Sequence, residues 1–93
     1  MKLFWTVEAR QDRRDAREHI ANENPVAALA LDEMFTRKAR NLLSHPALGR
    51  PGRMAGTREL IVHRNYLLVY DVSEQAVRIL RVLHARRRWP PRD

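Results

Sequence analysis

The chain begins with a segment in which apolar and polar residues follow the period of a β-strand. In KLFWTV (residues 2–7), Leu3, Trp5 and Val7 fall on one face. Side chains that alternate with a period of two point to opposite faces of a sheet. Phe4 makes the second face fairly apolar as well. We therefore expect a short strand buried within a sheet.

A helix is predicted next, from Glu8 to about Asn22. The small or apolar residues Ala9, Ala16 and Ile20 recur there at helical spacing, among many charged residues. This stripe is thin, because Arg13 occupies the turn where a further apolar residue would be expected. Such a helix is stable only when it packs against the rest of the protein.

A second helix is predicted more strongly. Asn24 is a favourable N-cap, and Pro25 fits the first helical position, where its missing N–H costs nothing. His45 precedes Pro46, which disfavours the α-helical conformation and ends the helix. The connection between the two helices is short, which predicts an antiparallel hairpin. One apolar stripe is formed by Ala28, Leu31, Phe35, Ala39 and Leu42.

The remaining pattern predicts a loop and three strands. The segment Ala47–Gly56 holds all three glycines of the chain and reads as a loop. Tight turns are expected at Arg64-Asn65 and at residues 73–75. The predicted strands are about Arg58–His63, Tyr66–Val72 and Ala76–Leu83. The order β-α-α-β-β-β predicts an α+β fold with a helical hairpin on one face of a four-stranded, mostly antiparallel sheet.

Composition and charge narrow the classes of function. The 93 residues suffice for a single domain (1–93), and the lack of cysteine excludes disulfides and thiolate metal sites. Residues 1–49 carry 8 Lys+Arg against 7 Asp+Glu, whereas residues 50–93 carry 10 against 4. This basic half predicts a polyanionic or acidic partner. No apolar run is long enough for a signal peptide or a membrane span, so we expect a cytoplasmic protein without membrane association.

Candidate chemistry concentrates at the end of the last strand. The four histidines lack the spacing of a metal site, so we expect no metal. The segment HARRRW (residues 84–89) holds residue types that could cleave RNA without a metal. A histidine can take the proton of the 2′-hydroxyl, arginines can stabilise the phosphorane, and an aromatic ring can stack on a base. The same residues could equally be a strand-end histidine, a solvated tail and a core tryptophan.

A family resemblance is carried by the stretch GRPGRMAGTRELIVHRNYLLVYDV, followed by VRILRVLHARRRWP. It resembles the RelE/ParE superfamily of bacterial type II toxins, and in particular its RelE/StbE-like branch. The match covers about residues 50–90, and the earlier residues fit the order of elements in that family. The resemblance implies a growth-inhibiting toxin that needs no cofactor and is neutralised by a cognate antitoxin with an acidic binding segment.

Two activities are known in that superfamily. RelE-like members cleave mRNA in the ribosomal A site, whereas ParE-like members inhibit DNA gyrase and cut nothing. We expect a ribosome-dependent endoribonuclease that binds the ribosome and mRNA, with gyrase inhibition as the alternative. RelE-like enzymes commonly carry an arginine where this chain has Leu67.

The resemblance also implies roles for individual residues. His84 matches the catalytic base of YafQ-like ribonucleases, and Arg87 and Arg58 match basic residues that would stabilise the phosphorane. Trp89 would stack on a base. We expect these residues to line the sheet face that the helical hairpin leaves open. Arg50, Arg53, Arg86 and Arg88 would contact phosphates of the RNA, and these contacts would not depend on the nucleotide sequence.

Overall fold

The predicted α+β fold is confirmed by the computed structural model, which describes residues 1–90. A two-residue strand inside the predicted loop raises the number of strands from four to five. The elements are β1 (Lys2–Trp5), α1 (Val7–Ala21), α2 (Pro25–Ser44), β2 (Arg50–Pro51), β3 (Arg58–His63), β4 (Tyr66–Val72) and β5 (Ala76–His84).

The strands form one sheet in the order β1-β5-β4-β3-β2. β1 runs parallel to β5, and the other pairs are antiparallel. The prediction of a buried first strand is wrong, because β1 lies at the edge of the sheet. Leu3 and Trp5 pack on the core, whereas Phe4 on the opposite face remains 52% exposed.

Each helix begins directly after a residue whose side chain caps it, and the cap of α2 is the predicted one. Thr6, which the alternation placed in the first strand, is the N-cap of α1. Its Oγ1 accepts a hydrogen bond from Ala9 N–H at 3.0 Å and donates one to the Leu80 carbonyl at 2.8 Å. The Oδ1 of Asn24 accepts from Ala27 N–H at 3.1 Å and so caps α2 as predicted. The first cap thereby links α1 to β5.

Arg13 occupies the gap in the apolar stripe of α1. Its guanidinium lies 4.7 Å from the centre of the Trp5 ring, and its Nε donates to the Asp32 carboxylate on α2 at 2.7 Å. A cation over an aromatic face is attracted by the ring, and the ion pair supplies its partner charge. Arg13 therefore joins both helices to β1, where an apolar residue was expected.

The core lies between the helical hairpin and one face of the sheet. Its largest buried side chains include Phe35, Leu42, Leu68, Tyr70 and Ile79. The opposite face carries a smaller cluster, built on Leu67, Val69 and Leu83. Neither helix within residues 1–90 is long and apolar enough to cross a membrane.

Candidate functional site

His84 lies at the end of β5, directly opposite Tyr66 on β4. Its ring meets the Tyr66 ring edge to face, with 5.2 Å between the centroids. Tyr66 in turn packs on Phe35 of α2, so this pair lies on the face that the helices cover. The expectation that His84 lines the open face is wrong, because opposite residues in an antiparallel pair share a face.

The hydrogen bonding of His84 bears on its chemistry. Its Nδ1 accepts a hydrogen bond from the backbone N–H of Arg86 at 3.1 Å. In the neutral ring, an accepting Nδ1 assigns the proton to Nε2. Nε2 is then a donor, whereas a general base needs an unprotonated nitrogen that faces its substrate.

His84 and Arg87 both line a cleft between α1 and the end of β5. The backbone N–H of Arg87 donates to the His84 carbonyl at 2.9 Å, which forms a turn after the strand. Asp12, Asp15 and His19 of α1 also line this cleft. Its charges are mixed, so it is not a simple receptor for phosphate.

Arg58 lies far from this cleft. It pairs with Tyr70 at the other end of β4, whereas His84 pairs with Tyr66. Four residues along the strand and two strand spacings separate Arg58 from His84 by roughly 15 Å. The Nη1 of Arg58 donates to the Gly49 carbonyl at 2.7 Å. Arg58 therefore holds the loop before β2 and does not reach a phosphate beside His84.

Arg50 and Arg53 converge on one buried carboxylate. Glu59 is only 2% exposed, and its Oε2 accepts from the backbone N–H of Arg53 at 3.0 Å and from Arg53 Nε at 3.1 Å. Arg50 Nη2 lies 3.3 Å from Oε1. Burial by itself would raise the pKa of Glu59, but the hydrogen bonds from Arg53 and Arg50 outweigh it and lower the pKa. Glu59 is therefore ionised at neutral pH.

Arg50 and Arg53 also line a second cleft, which extends to the turn between β3 and β4. His63 and Arg64 also line it. The sequence pattern predicts only a turn at Arg64, and the signal for its place in this cleft is the basic loop at residues 50–53. Tyr66 borders both clefts, and burial raises its pKa, so its hydroxyl stays protonated at neutral pH.

Trp89 lies on the open face of the sheet. It packs on the cluster built on Leu67, Val69 and Leu83, and the Arg81 guanidinium lies 5.3 Å from its ring centre. Its Nε1 is buried without a hydrogen-bond partner in residues 1–90. In this position the indole ring covers apolar side chains, including Leu67, where RelE-like enzymes commonly carry an arginine.

The remaining predicted residues are exposed. Arg86 and Arg88 extend into solvent beside Arg87, and their side chains form no ion pair with residues 1–90. Within the same residues, no three histidine or carboxylate side chains come together as metal ligands.

Comparisons with known proteins agree with this fold along nearly the whole chain. A family model described as the ParE toxin of the type II toxin-antitoxin system parDE matches residues 3–89. The solved structure of a chromosomal ParDE toxin-antitoxin system from P. aeruginosa superposes with a TM-score of 0.80 at 25% identity. That match covers 90% of this chain and 95% of the other.

Two relatives are similar in sequence over almost their full lengths. The protein Y4kP of Sinorhizobium fredii is 33% identical over 90 residues, covering 96% of this chain and 93% of Y4kP. Toxin RelE2 of Caulobacter vibrioides is 33% identical over 86 residues, covering 92% of this chain and 97% of RelE2. The chain therefore belongs to the ParE toxin family of type II toxin–antitoxin systems, within the RelE/ParE superfamily.

Proposed function

We propose that this toxin inhibits growth by binding DNA gyrase, and that a cognate antitoxin neutralises it. The match to the ParE family model over residues 3–89 and the fit to the ParDE structure support this choice. Gyrase inhibition is the activity that the resemblance to ParE-like members implies. The proposal replaces ribonuclease activity, which we expected from the sequence, as the first hypothesis.

The observation that carries the proposal is the separation of the expected catalytic residues. Arg58 lies roughly 15 Å from His84 by strand geometry and is bonded to the Gly49 carbonyl. The Nδ1 of His84 is occupied by the Arg86 N–H. Acid–base catalysis requires its groups within hydrogen-bond reach of one reacting centre. A binding protein has no such requirement.

Ribosome-dependent mRNA cleavage remains the second candidate function. Two observations favour it: His84 and Arg87 share one cleft, and a relative of 33% identity carries the name RelE2. Cleavage would require that the bond from Arg86 N–H to His84 Nδ1 opens, so that Nδ1, or Nε2 after the proton has moved to Nδ1, could accept the proton of the 2′-hydroxyl. Cleavage would also have to proceed without the arginine that RelE-like enzymes commonly carry at the position of Leu67.

The two functions separate in a pair of assays on one preparation of antitoxin-free toxin. One assay measures supercoiling of relaxed plasmid by gyrase, and the other measures mRNA cleavage on programmed ribosomes. We expect supercoiling to be blocked in proportion to the ratio of toxin to gyrase, with intact mRNA. Cut mRNA with normal supercoiling would overturn the proposal and restore the ribonuclease.

His84→Ala tests the site itself, with His45→Ala as its control. Both histidines are at least partly exposed, but His45 ends α2 outside the two clefts. Gyrase inhibition is expected to survive in both variants, to within about threefold, because neither ring acts as a base. Loss of toxicity in His84→Ala alone, with circular dichroism unchanged, would argue for catalysis by His84.

The antitoxin is part of the same proposal. The net charge of +7 suits an acidic partner. Addition of the antitoxin is expected to restore supercoiling at equimolar ratio. Supercoiling that stays blocked at a tenfold excess of antitoxin would contradict this part.

A further inference from the structure

The second cleft carries an excess of positive charge. Arg50, Arg53 and Arg64 line it together with His63, and Glu59 is the only carboxylate in its lining. With a neutral histidine, three guanidinium groups therefore face one carboxylate, which leaves a net charge of about +2. A cleft with such a lining attracts an anion.

The buried carboxylate holds two of these arginines in place. Arg53 uses Nε and Nη2 to bind Glu59, at 3.1 and 3.3 Å, and Arg50 uses Nη2, at 3.3 Å. A guanidinium has five N–H donors, so each arginine keeps donors that form no hydrogen bond within residues 1–90. Because Glu59 already orders the two side chains, a ligand that binds their remaining N–H groups has less conformational entropy to remove.

Two linked turns form the opposite wall of the cleft. The N–H of Asn65 donates to His63 Nδ1 at 3.3 Å, and the N–H of Ala85 donates to the Asn65 carbonyl at 2.7 Å. In the neutral His63 ring the proton is then on Nε2, which makes this nitrogen a further donor. Arg64 is exposed and forms no ion pair within residues 1–90. Its charge is therefore available to a ligand.

The cleft also has an apolar part. Pro51 and Ile61 line it, and Ile61 is 55% exposed although it lies in the middle of β3. The cavity volume of about 320 Å³ lies at the lower end of the range of small-molecule sites, roughly 300–1,000 Å³. Apolar side chains beside guanidinium groups suit a ligand that has one apolar face and one anionic end.

We propose that the second cleft binds a free nucleotide. Its terminal phosphate lies between Arg64 and the pair formed by Arg50 and Arg53, and its base covers Pro51 and Ile61. A terminal phosphate carries about two negative charges at neutral pH, whereas the phosphodiester of a nucleic acid carries one. The net charge of the cleft therefore favours a free nucleotide over a nucleic acid strand. The inference depends neither on the target of the toxin nor on the antitoxin.

Calorimetry on antitoxin-free toxin tests the ligand, at a salt concentration of about 0.15 M that screens exposed charges. ATP is compared with inorganic triphosphate, with adenosine and with a single-stranded DNA octanucleotide that lacks a terminal phosphate. We expect ATP to bind with a Kd below about 1 mM and at least about tenfold more tightly than each of the other three.

Three results of this comparison would overturn the proposal. Absence of ATP binding at millimolar concentration would remove the site. Triphosphate that binds as tightly as ATP would show an anion site without a place for the base. An octanucleotide that binds more tightly than ATP would show that nucleic acid is the ligand.

Arg64→Ala tests the phosphate contact, with Arg37→Ala as its control. Both arginines are exposed, neither binds Glu59, and Arg37 lies on α2 outside the cleft. Each change removes one positive charge. We expect the Kd for ATP to rise about tenfold in Arg64→Ala and to stay within about twofold in Arg37→Ala. Equal changes in the two variants would reflect only the net charge and would overturn the assignment to this cleft.

Ile61→Ser tests the base contact separately. Its side chain is exposed, so the fold should persist, which urea denaturation checks. The variant should bind ATP about fivefold more weakly and inorganic triphosphate within about twofold of the wild type, because only ATP has a base to lose its apolar contact. Unchanged ATP affinity, or an equal loss for both ligands, would contradict the placement of the base on Ile61.

Discussion

Two groups of arginines look alike in the sequence and differ in the folded protein. Arg50, Arg53 and Arg58 are bound to the Glu59 carboxylate or to backbone carbonyls. The second group, residues 86–88, is exposed and forms no ion pair within residues 1–90. The first group therefore serves mainly the fold, and the second is available to a partner.

The difference shows what decides the role of a cation. An arginine beside a buried carboxylate is held there, because the carboxylate cannot remain buried and unpaired at low cost. Arginines on a turn that follows the last strand meet no such acceptor. The loop arginines can still present their outer sides to a ligand, but removing them costs stability as well as binding.

The strongest test of this comparison is Glu59→Ala. The change would leave Arg50 and Arg53 facing each other without their carboxylate and would leave the Arg53 N–H without an acceptor. We expect a loss of about 3 kcal/mol in the free energy of unfolding. This value is at the low end of the range for breaking a buried ion pair, because both arginines reach solvent. Urea denaturation measures it, and a loss below about 1 kcal/mol would contradict the structural role.

A second test measures how the contribution of the Glu59 carboxylate to stability depends on pH. The pKa of Glu59 in the folded protein lies below its ordinary value of 4.5. A carboxyl whose pKa falls on folding stabilises the protein above that ordinary value, and this contribution is lost as the pH drops through the lower, folded pKa. The stability difference between wild type and Glu59→Gln should be constant from pH 7 to pH 5 and should shrink toward pH 3. A constant difference down to pH 3 would contradict the lowered pKa.

Trp89 gives a third test, on the segment that follows β5. Trp89→Ala removes a half-buried ring from the cluster with Leu67, Val69 and Leu83, which should cost about 2 kcal/mol of unfolding free energy. Trp89→Phe is the matched control. It keeps the ring and removes an N–H that has no partner within residues 1–90, so its cost should stay within about 0.5 kcal/mol. Equal stability of wild type and Trp89→Ala would show that the ring does not pack on the sheet.

The smallest expected change in stability belongs to the exposed arginines. Replacing Arg86, Arg87 and Arg88 together by alanine should alter the free energy of unfolding by less than about 0.5 kcal/mol. We expect the same variant to lose growth inhibition and to elute from heparin at lower salt, because a local cationic cluster is gone.

The matched control for this variant replaces three exposed arginines of the helices by alanine: Arg10, Arg14 and Arg37. It lowers the net charge by the same amount. Growth inhibition that falls equally in both triple variants would mean that total charge matters and that the cluster after β5 has no special role.

Much of the fold was predictable because its signals are local. Three such signals depend on neighbouring residues only: the Asn24 cap followed by Pro25, the helix end before Pro46, and the turn at Arg64-Asn65. Accordingly, the predicted bounds of β3 and β4 are confirmed, and those of β5 differ by one residue. The place of β1 at an edge was missed, since alternation within a strand does not reveal its neighbours.

The candidate site was less predictable than the fold. The proximity of His84 and Arg87 follows from their separation of three residues in the chain. The distance between His84 and Arg58 depends on the registers of two strand pairs. Arg53 lies in the loop between β2 and β3, and its acceptor Glu59 lies on β3. Nothing in the local pattern indicates that Glu59 is buried.

The sequence by itself determined the kinds of elements, their order, the basic second half and the superfamily. These properties reside in periodicity, capping, composition and motif, which short stretches carry in full. Only the tertiary structure decided which arginines are bound, on which face His84 lies and which strands form the edges of the sheet. Those outcomes depend on contacts between residues far apart in the chain, and the free energy of burying Glu59 or Trp89 is defined only after the strands have paired.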